Sequence, residues 1–285
     1  MSRIADDRDE VLLHGGMTNA GLISRVADTV RRPQGSTSAA THALLEHLER
    51  VGFDGAPRFL GIDDRGREVL SFIAGEAVLA PYEDWALTDE ALVSVAELLR
   101  GYHHAVASFD IAAHTWPLCV PARFRGAIVS HNDPNLDNVI FSGGRAVALI
   151  DFDLASPGSA LWDVACAARL WAPLCDERDA PEQLRGRALA RLRIFADSYG
   201  LCERDRSRFA DAVRETHASA YRVVREAVAG GHKTFGRVWR EGDRLRTERT
   251  RAWIDSYGDQ MRAVLETGQA TPHEPRADSV ADGPA

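Results

Sequence analysis

Apolar and polar positions alternate in short bursts over the first third of the chain and recur at helical spacing over most of the rest. Leu22 to Val26 and Thr29 to Arg32 alternate around Ala27-Asp28, which predicts a hairpin. Ala40, Leu44, Leu45 and Leu48, behind the start signal Ser36-Thr37-Ser38, predict a helix over 37–50 that ends near Gly52. Arg58 to Ile62 and Glu68 to Ile73, joined by Asp63 to Arg67, predict a second hairpin. A helix follows over 87–104, with Thr88 as its N-cap ahead of Asp89 and Glu90. Val139 to Phe141 and Ala146 to Ile150 flank a Gly-rich turn and predict a third hairpin. Trp162 to Trp171 reads as a helix stopped at Ala172-Pro173. From Pro181 to Leu265 the pattern is helix after helix: Leu184, Ala188, Leu192 and Phe195, then Phe209, Val213, Ala220 and Val223, then Trp253, Ile254, Met261 and Leu265. Residues 268–285 carry almost no apolar bulk and are expected to be a disordered tail. The whole is an α+β pattern without internal repeats, strands concentrated early and helices late.

The third hairpin gives nearby polar residues a chemical meaning. Its open end brings Asn138, at the entry, beside Asp151, at the exit. One amide oxygen and one carboxylate at that point make a hard-oxygen site suited to Mg²⁺, with Asp153 as a further ligand or only a loop acid. Asp133, five residues before Asn138, is then free to face an acceptor hydroxyl. Phosphoryl transfer needs this arrangement, because its chemistry is mostly positioning and charge neutralisation. His131 either joins this chemistry or orients the loop through a backbone bond. Asp163, between Leu-Trp and Val-Ala-Cys-Ala-Ala, reads as a helix start or a bond to the same loop.

His131-Asn132-Asp133 through Asn138, followed by Ile150-Asp151-Phe152, resembles the aminoglycoside phosphotransferase family, a branch of the protein-kinase-like fold. Leu98 to His103 and Pro157 to Ala165 resemble the family's segments before and after the catalytic loop. Val30-Arg31-Arg32-Pro33 is similar to a bacterial subgroup that includes toxin-immunity proteins. The resemblance implies a two-lobe fold: an N-lobe over 1–75 with a five-stranded sheet and one helix, a helical C-lobe over 76–267, and the tail. It implies ATP or GTP as phosphoryl donor, Mg²⁺ as cofactor, and a small-molecule hydroxyl as acceptor. Aminoglycoside, another antibiotic, an amino alcohol and a sugar all stay open.

A kinase-like small lobe normally offers a strand lysine to the phosphates. Here Lys233 is the only lysine, and the other 33 of the 34 basic residues are arginines. The candidates are Arg31 and Arg32, which alternation puts on opposite faces of one strand, so only one can face the cleft. Arg32 is favoured if Val30 packs on the nucleotide side. The resemblance places the acid partner on the following helix, with Glu46 as the candidate, and the adenine-binding hinge at Ser71, Phe72 and Ile73. His14 to Asn19 contains a Gly-Gly pair that could cover phosphates or simply turn the chain.

Composition narrows the classes further. The chain of 285 residues is long enough for two lobes, and 45% hydrophobic residues is ordinary for a globular protein. No apolar run reaches the length of a membrane span, and the four cysteines form no Cys-x-x-Cys pair, so a cytoplasmic protein with reduced thiols is expected. A net charge of −8 argues against nucleic acid as the main partner. Glu177, Asp179, Asp211 and Glu215 are acids that could meet a cationic acceptor. A catalytically silent, nucleotide-binding immunity or regulatory protein is the alternative to an enzyme, motivated by the absent lysine. Acyl or nucleotidyl transfer at the same Mg²⁺ site is a third possibility.

Overall fold

The computed structural model describes residues 10–13, 22–117, 120–231 and 244–267. The His14–Asn19 segment, Cys119, Lys233, Trp239 and the tail 268–285 lie outside the described residues. The first sheet comprises β1 (Val11–Leu12), β2 (Ser24–Val26), β3 (Thr29–Arg32), β4 (Phe59–Ile62) and β5 (Glu68–Ser71), with helix α1 (Ser38–Arg50) between β3 and β4. All its pairings are antiparallel, in the order β1-β2-β3-β5-β4. The β2–β3 turn forms at Ala27-Asp28, where Ala27 adopts φ 51° and the Thr29 hydroxyl donates to the Val26 carbonyl at 2.7 Å. In the β3–β5 register Arg32 stands opposite Glu68, and Arg31 opposite Val69.

Helix α1 buries Ala40, Thr41, Leu44, Leu45 and Leu48, the stripe its spacing predicts. Its start differs in detail from expectation. Thr37 occupies the cap position without a side-chain bond, and the Ser38 hydroxyl accepts from the Gly35 N–H at 2.8 Å instead. At the other end Gly52, at φ +77°, lets the Phe53 N–H reach back to the Leu48 carbonyl at 2.9 Å.

Beyond β5 the chain crosses to a three-stranded sheet of β6 (Glu76–Ala77), β8 (Val139–Ser142) and β9 (Arg145–Leu149), in the order β6-β8-β9. Gly75 makes the crossing possible. A Cβ there would stand 2.3 Å from the Phe141 carbonyl oxygen, at a backbone φ of +152°. The β8–β9 turn is the Gly143-Gly144 pair, with φ values of +58° and +76°, as a tight two-residue hairpin turn requires. Between these strands come helix α2 (Asp89–Ala105) and β7 (Ile128–Ser130); β10 (Ser156–Gly158) pairs antiparallel with β7. Thr88 caps α2 by accepting from the Ala91 N–H at 3.1 Å.

Helices α3 (Ala160–Trp171), α4 (Ala188–Tyr199), α5 (Glu203–Ala229) and α6 (Arg244–Thr267) complete the C-terminal part. Leu92, Leu99, Tyr102, Val164, Leu192, Phe195, Phe209 and Met261 are buried in the core they share. Leu184 falls on a short 3₁₀ turn before α4 rather than inside it, since Gly186 at φ +73° intervenes. Ala220 and Val223 are not in the core; the buried stripe of α5 ends at His217. Trp253 is buried and stacks on Tyr257 at 4.4 Å. No helix among the described residues is long and apolar enough to cross a membrane.

Candidate active site

Pairing of β7 with β10 and of β8 with β9 fixes both ends of the loop over 131–138. Asp163 of α3, fully buried, holds its start. One carboxylate oxygen accepts from the His131 N–H at 2.7 Å and the other from the Asn132 N–H at 2.8 Å. His103 of α2 adds a third bond to this carboxylate at 3.0 Å. Burial by itself would raise the Asp163 pKa, and the hydrogen bonds from His103 and from the His131 backbone work against it, so the carboxyl is held below its usual range. Asn132 is kept at φ 67°, a conformation costly for most residues, and its side chain is tied to the Leu154 carbonyl at 2.7 Å and to Trp162 at 3.0 Å.

His131 is fully buried and both ring nitrogens are engaged by backbone: Nε2 with the Ile150 carbonyl at 3.0 Å and Nδ1 with the Asp133 N–H at 3.3 Å. Burial lowers its pKa, which suits a neutral ring that donates through Nε2 and accepts at Nδ1. The expectation that His131 takes part in catalysis therefore gives way to its other expected role, as the pin between the loop and the strand carrying Asp151.

Asp133 follows. Its carboxylate accepts from the side-chain amides of Asn135, and of Asn138 at 2.9 Å. Burial, reinforced by the charges of Asp151 and Asp137, pushes its pKa up to about 7 against the Asn138 hydrogen bond and the Arg169 charge. Because the Asn138 amide nitrogen serves Asp133 through both its backbone carbonyl and its carboxylate, the Asn138 oxygen is left turned elsewhere. The Ile150 N–H reaches the Asn138 carbonyl at 2.9 Å, so hairpin closure brings Asn138 level with the residue before Asp151. Asp151 takes φ 62° and, like Asp153, is part-exposed. Among the described residues no three His, Cys, Asp or Glu side chains form a ready-made metal cage. The donor set is two carboxylates and one amide oxygen, which suits a Mg²⁺ ion that keeps waters and phosphate oxygens in its shell.

Arg32 faces these acids. Its guanidinium bonds Asp151 at 3.1 Å and Asp153 at 2.7 Å, and its Nε donates to Glu68. Burial opposes its charge, and Asp153, Glu68 and Asp151 together outweigh burial and raise its pKa. Arg31, on the other face of β3, lies 3.7 Å from Asp63 in the β4–β5 turn, which removes it from the expected phosphate-binding set.

Two further expectations are corrected. Glu46 is solvent-exposed, and the acid beside Arg32 is Glu68 of β5, only 1% exposed. From α1 it is His42 that reaches in, bonding the second Glu68 oxygen at 2.6 Å while stacked on Phe59. Glu46 sits one helical turn, about 6 Å, further along the axis, beyond reach of this cluster. At the hinge, the Ser71 N–H is spent on the Arg58 carbonyl and the Phe72 N–H on the Asp28 carbonyl, each within 2.9 Å. Of the three expected hinge residues, only Ile73 has no such internal bond for its N–H among the described residues. Glu68, Asn135 and His42 were missed; a buried acid opening an apolar strand was the one available signal for Glu68.

Residues 106–197 match the phosphotransferase enzyme family. The chain is 30% identical over 267 residues to the trifolitoxin immunity protein of Rhizobium leguminosarum bv. trifolii, spanning 90% of this chain and 99% of that protein. Among solved structures, a choline/ethanolamine kinase family protein from Mesorhizobium loti aligns with TM-score 0.59 and 18% identity over 89% of this chain and 91% of that one. The gentamicin complex of APH(2")-IIa aligns with TM-score 0.55 and 13% identity over 90% and 93%. The GDP complex of aminoglycoside 2'-phosphotransferase-IIIa gives 0.54 and 13% over 86% and 93%. At these identities the structures establish the fold alone: α+β and kinase-like, with the small antiparallel sheet and the helical part as its two lobes.

Proposed function

The chain belongs to the phosphotransferase enzyme family, and from that premise we propose that it moves the γ-phosphoryl group of ATP or GTP to a hydroxyl of a small molecule. The observation that supports this reading is the junction of the Asp133 loop with the Asp151 strand, where the Asn138 side-chain amide donates to the Asp133 carboxylate and its backbone carbonyl accepts from the Ile150 N–H, one residue before Asp151. Asp133 orients the acceptor hydroxyl and receives its proton, its carboxylate steadied by Asn135 and Asn138. Asn138, Asp151 and Asp153 are the residues to hold Mg²⁺, which would neutralise phosphate charge during transfer. Arg32 takes the place of the strand lysine. Held from behind by Glu68, it exchanges its bonds with Asp151 and Asp153 for bonds to the incoming phosphates.

The test is ATP and GTP binding by calorimetry, with and without Mg²⁺, on the wild type, Asp151→Ala and Asp133→Ala. Mg²⁺-dependent binding should weaken at least about tenfold in Asp151→Ala. Asp133→Ala should bind normally and lose about 10²–10⁴ in turnover. Equal affinity in wild type and Asp151→Ala would sink the metal assignment; undiminished turnover in Asp133→Ala would sink the catalytic one.

The alternative, a silent nucleotide-binding immunity protein, draws on the likeness to the trifolitoxin immunity protein and on the Arg32 clamp across both metal acids. Under that reading, cells expressing Asp133→Ala would survive the toxin as well as cells expressing the wild type. Loss of protection in the variant would favour the enzyme.

A further inference from the structure

A cavity of about 730 Å³ opens next to the catalytic loop, with Asn135, Leu136 and Asp137 in its wall. That volume falls within the range of small-molecule sites. Leu79, Leu87, Leu170, Trp171, Pro173 and Leu174 contribute a broad apolar lining. The charged groups facing it are Arg169, Arg191 and Arg246 and the acids Asp137 and Asp179.

Most of these charges are already committed. Arg191 is spent on the Leu87 and Trp171 carbonyls, at 2.9 and 3.1 Å, and on Asp89 at 2.8 Å, tying α4 to the start of α2 and the end of α3. Asp179 is gripped by both arms of Arg249. His217 also lines the cavity, but burial first and Arg169 second bring its pKa down to about 4, so it is neutral near pH 7. Two guanidinium groups remain. Among the described residues neither the Arg169 nor the Arg246 guanidinium has an ion pair or hydrogen bond, and the Arg169 Nε is closed off from solvent with no acceptor. The acids on the loop side are Asp137, whose pKa burial raises, and Asp133, which the Arg169 charge reaches from the cavity; these two and Asp151 lie within electrostatic range at the phosphoryl end.

We propose, on the phosphotransferase reading above, that the acceptor is a hydroxyl compound with an apolar body and an anionic group such as a carboxylate, gripped by Arg169 and Arg246. An anion between the two guanidinium groups would satisfy the orphaned Arg169 Nε and relieve the repulsion between them. Its apolar body lies along Leu170 to Leu174, with the hydroxyl directed to Asp133, whose carboxylate is bonded to Asn135 in the cavity wall. A polycationic acceptor finds no equivalent welcome. The acids that sequence singled out for such a ligand are occupied: Asp179 by Arg249, Asp211 by Arg214 at 3.0 Å, Glu215 by Arg123, and Glu177 by the Gly186 N–H at 2.7 Å.

Three probes of one shape test this: 4-(hydroxymethyl)benzoate, 4-(hydroxymethyl)benzamide and 4-(hydroxymethyl)benzylamine, carrying charges of −1, 0 and +1. Their affinities for the full-length protein are measured by calorimetry with Mg²⁺ and a non-hydrolysable ATP analogue, and again without nucleotide. The anion should bind at least about tenfold tighter than the amine. In Arg246→Gln, a change at an exposed side chain that leaves the fold intact, and in Arg169→Gln, that ratio should fall below about threefold. Equal or reversed affinities, a ratio unmoved in both variants, or no binding of any probe would overturn the proposal. Nucleotide binding and its loss in Asp151→Ala report on the phosphotransferase reading separately. Normal Mg²⁺-nucleotide binding without anion preference refutes only the acceptor class, and anion preference without nucleotide binding refutes only the transfer reaction.

Discussion

Asp163 is the residue whose removal tests most sharply how the loop is held. In Asp163→Ala the buried His131 N–H and the part-buried Asn132 N–H lose their acceptor, and His103 loses one of its two side-chain partners. An orphaned buried donor costs about 1–3 kcal/mol, so two of them with the lost imidazole bond come to about 4–6 kcal/mol. That is comparable to the whole stability of many domains, about 5–15 kcal/mol, and the alanine variant is expected to be close to unfolded. Asp163→Asn is the gentler probe. Its carbonyl still accepts from Asn132, and its NH₂ can donate to His103 once that ring changes tautomer, with Nδ1–H then donating to the Tyr199 hydroxyl 2.7 Å away. Only the His131 N–H is orphaned, for about 2 kcal/mol. Urea denaturation measures both values, and phosphoryl transfer in Asp163→Asn should drop by about a hundredfold as Asn132 relaxes from φ 67° and Asp133 shifts. The pH dependence carries a sign of its own. The folded pKa of Asp163 is depressed below the unfolded value of about 3.9, so its contribution is fully present above that pH and is lost as pH falls through the folded pKa. The wild type should therefore lose more stability than Asp163→Asn on acidification below about pH 4. An Asp163→Asn variant within 0.5 kcal/mol of wild type at pH 7, by an estimate well under the cost of one orphaned donor, would refute this account of the loop.

Gly75→Ala should destabilise by about 2–4 kcal/mol in the same urea assay, because the new Cβ meets the Phe141 carbonyl and the Ile140 side chain at a φ open to few other residues; a neutral result would mean that the β5–β6 crossing is not tight. Glu68→Gln should weaken Mg²⁺-nucleotide binding by about tenfold, since Arg32 loses the buried charge that holds it from behind. Glu46→Ala, at an exposed site on α1, should leave that binding unchanged, and a loss comparable to that of Glu68→Gln would reinstate the helical acid.

Most of the features readable in the sequence are decided locally along the chain. Gly143-Gly144 sets the turn of β8–β9, and that hairpin alone puts Asn138 next to the strand end that carries Asp151. The helical stripe of α1 and the cap of α2 at Thr88 follow from spacing and side-chain chemistry in the same local way. Asp163 could be read as a bond to the loop because a carboxylate amid small apolar residues needs buried donors, and the His131 and Asn132 N–H groups supply them. The environment of Arg32 was less accessible, since it depends on how β3 and β5 register across an intervening helix and strand. That pairing also spends the Phe72 N–H on Asp28, and the pairing with the β4 side spends the Ser71 N–H on Arg58, both of which chain position alone had offered to a nucleotide. A physical constraint could still have located the partner. Glu68 heads an apolar strand, and an acid sealed inside a sheet persists only beside a cation. In this antiparallel pair the residue directly opposite is Arg32, while Arg31 points through the other face to Asp63. The switch from a helical acid to a strand acid thus follows from sheet register: the guanidinium already has a carboxylate across the ladder, and α1 adds only the His42 imidazole against the second Glu68 oxygen.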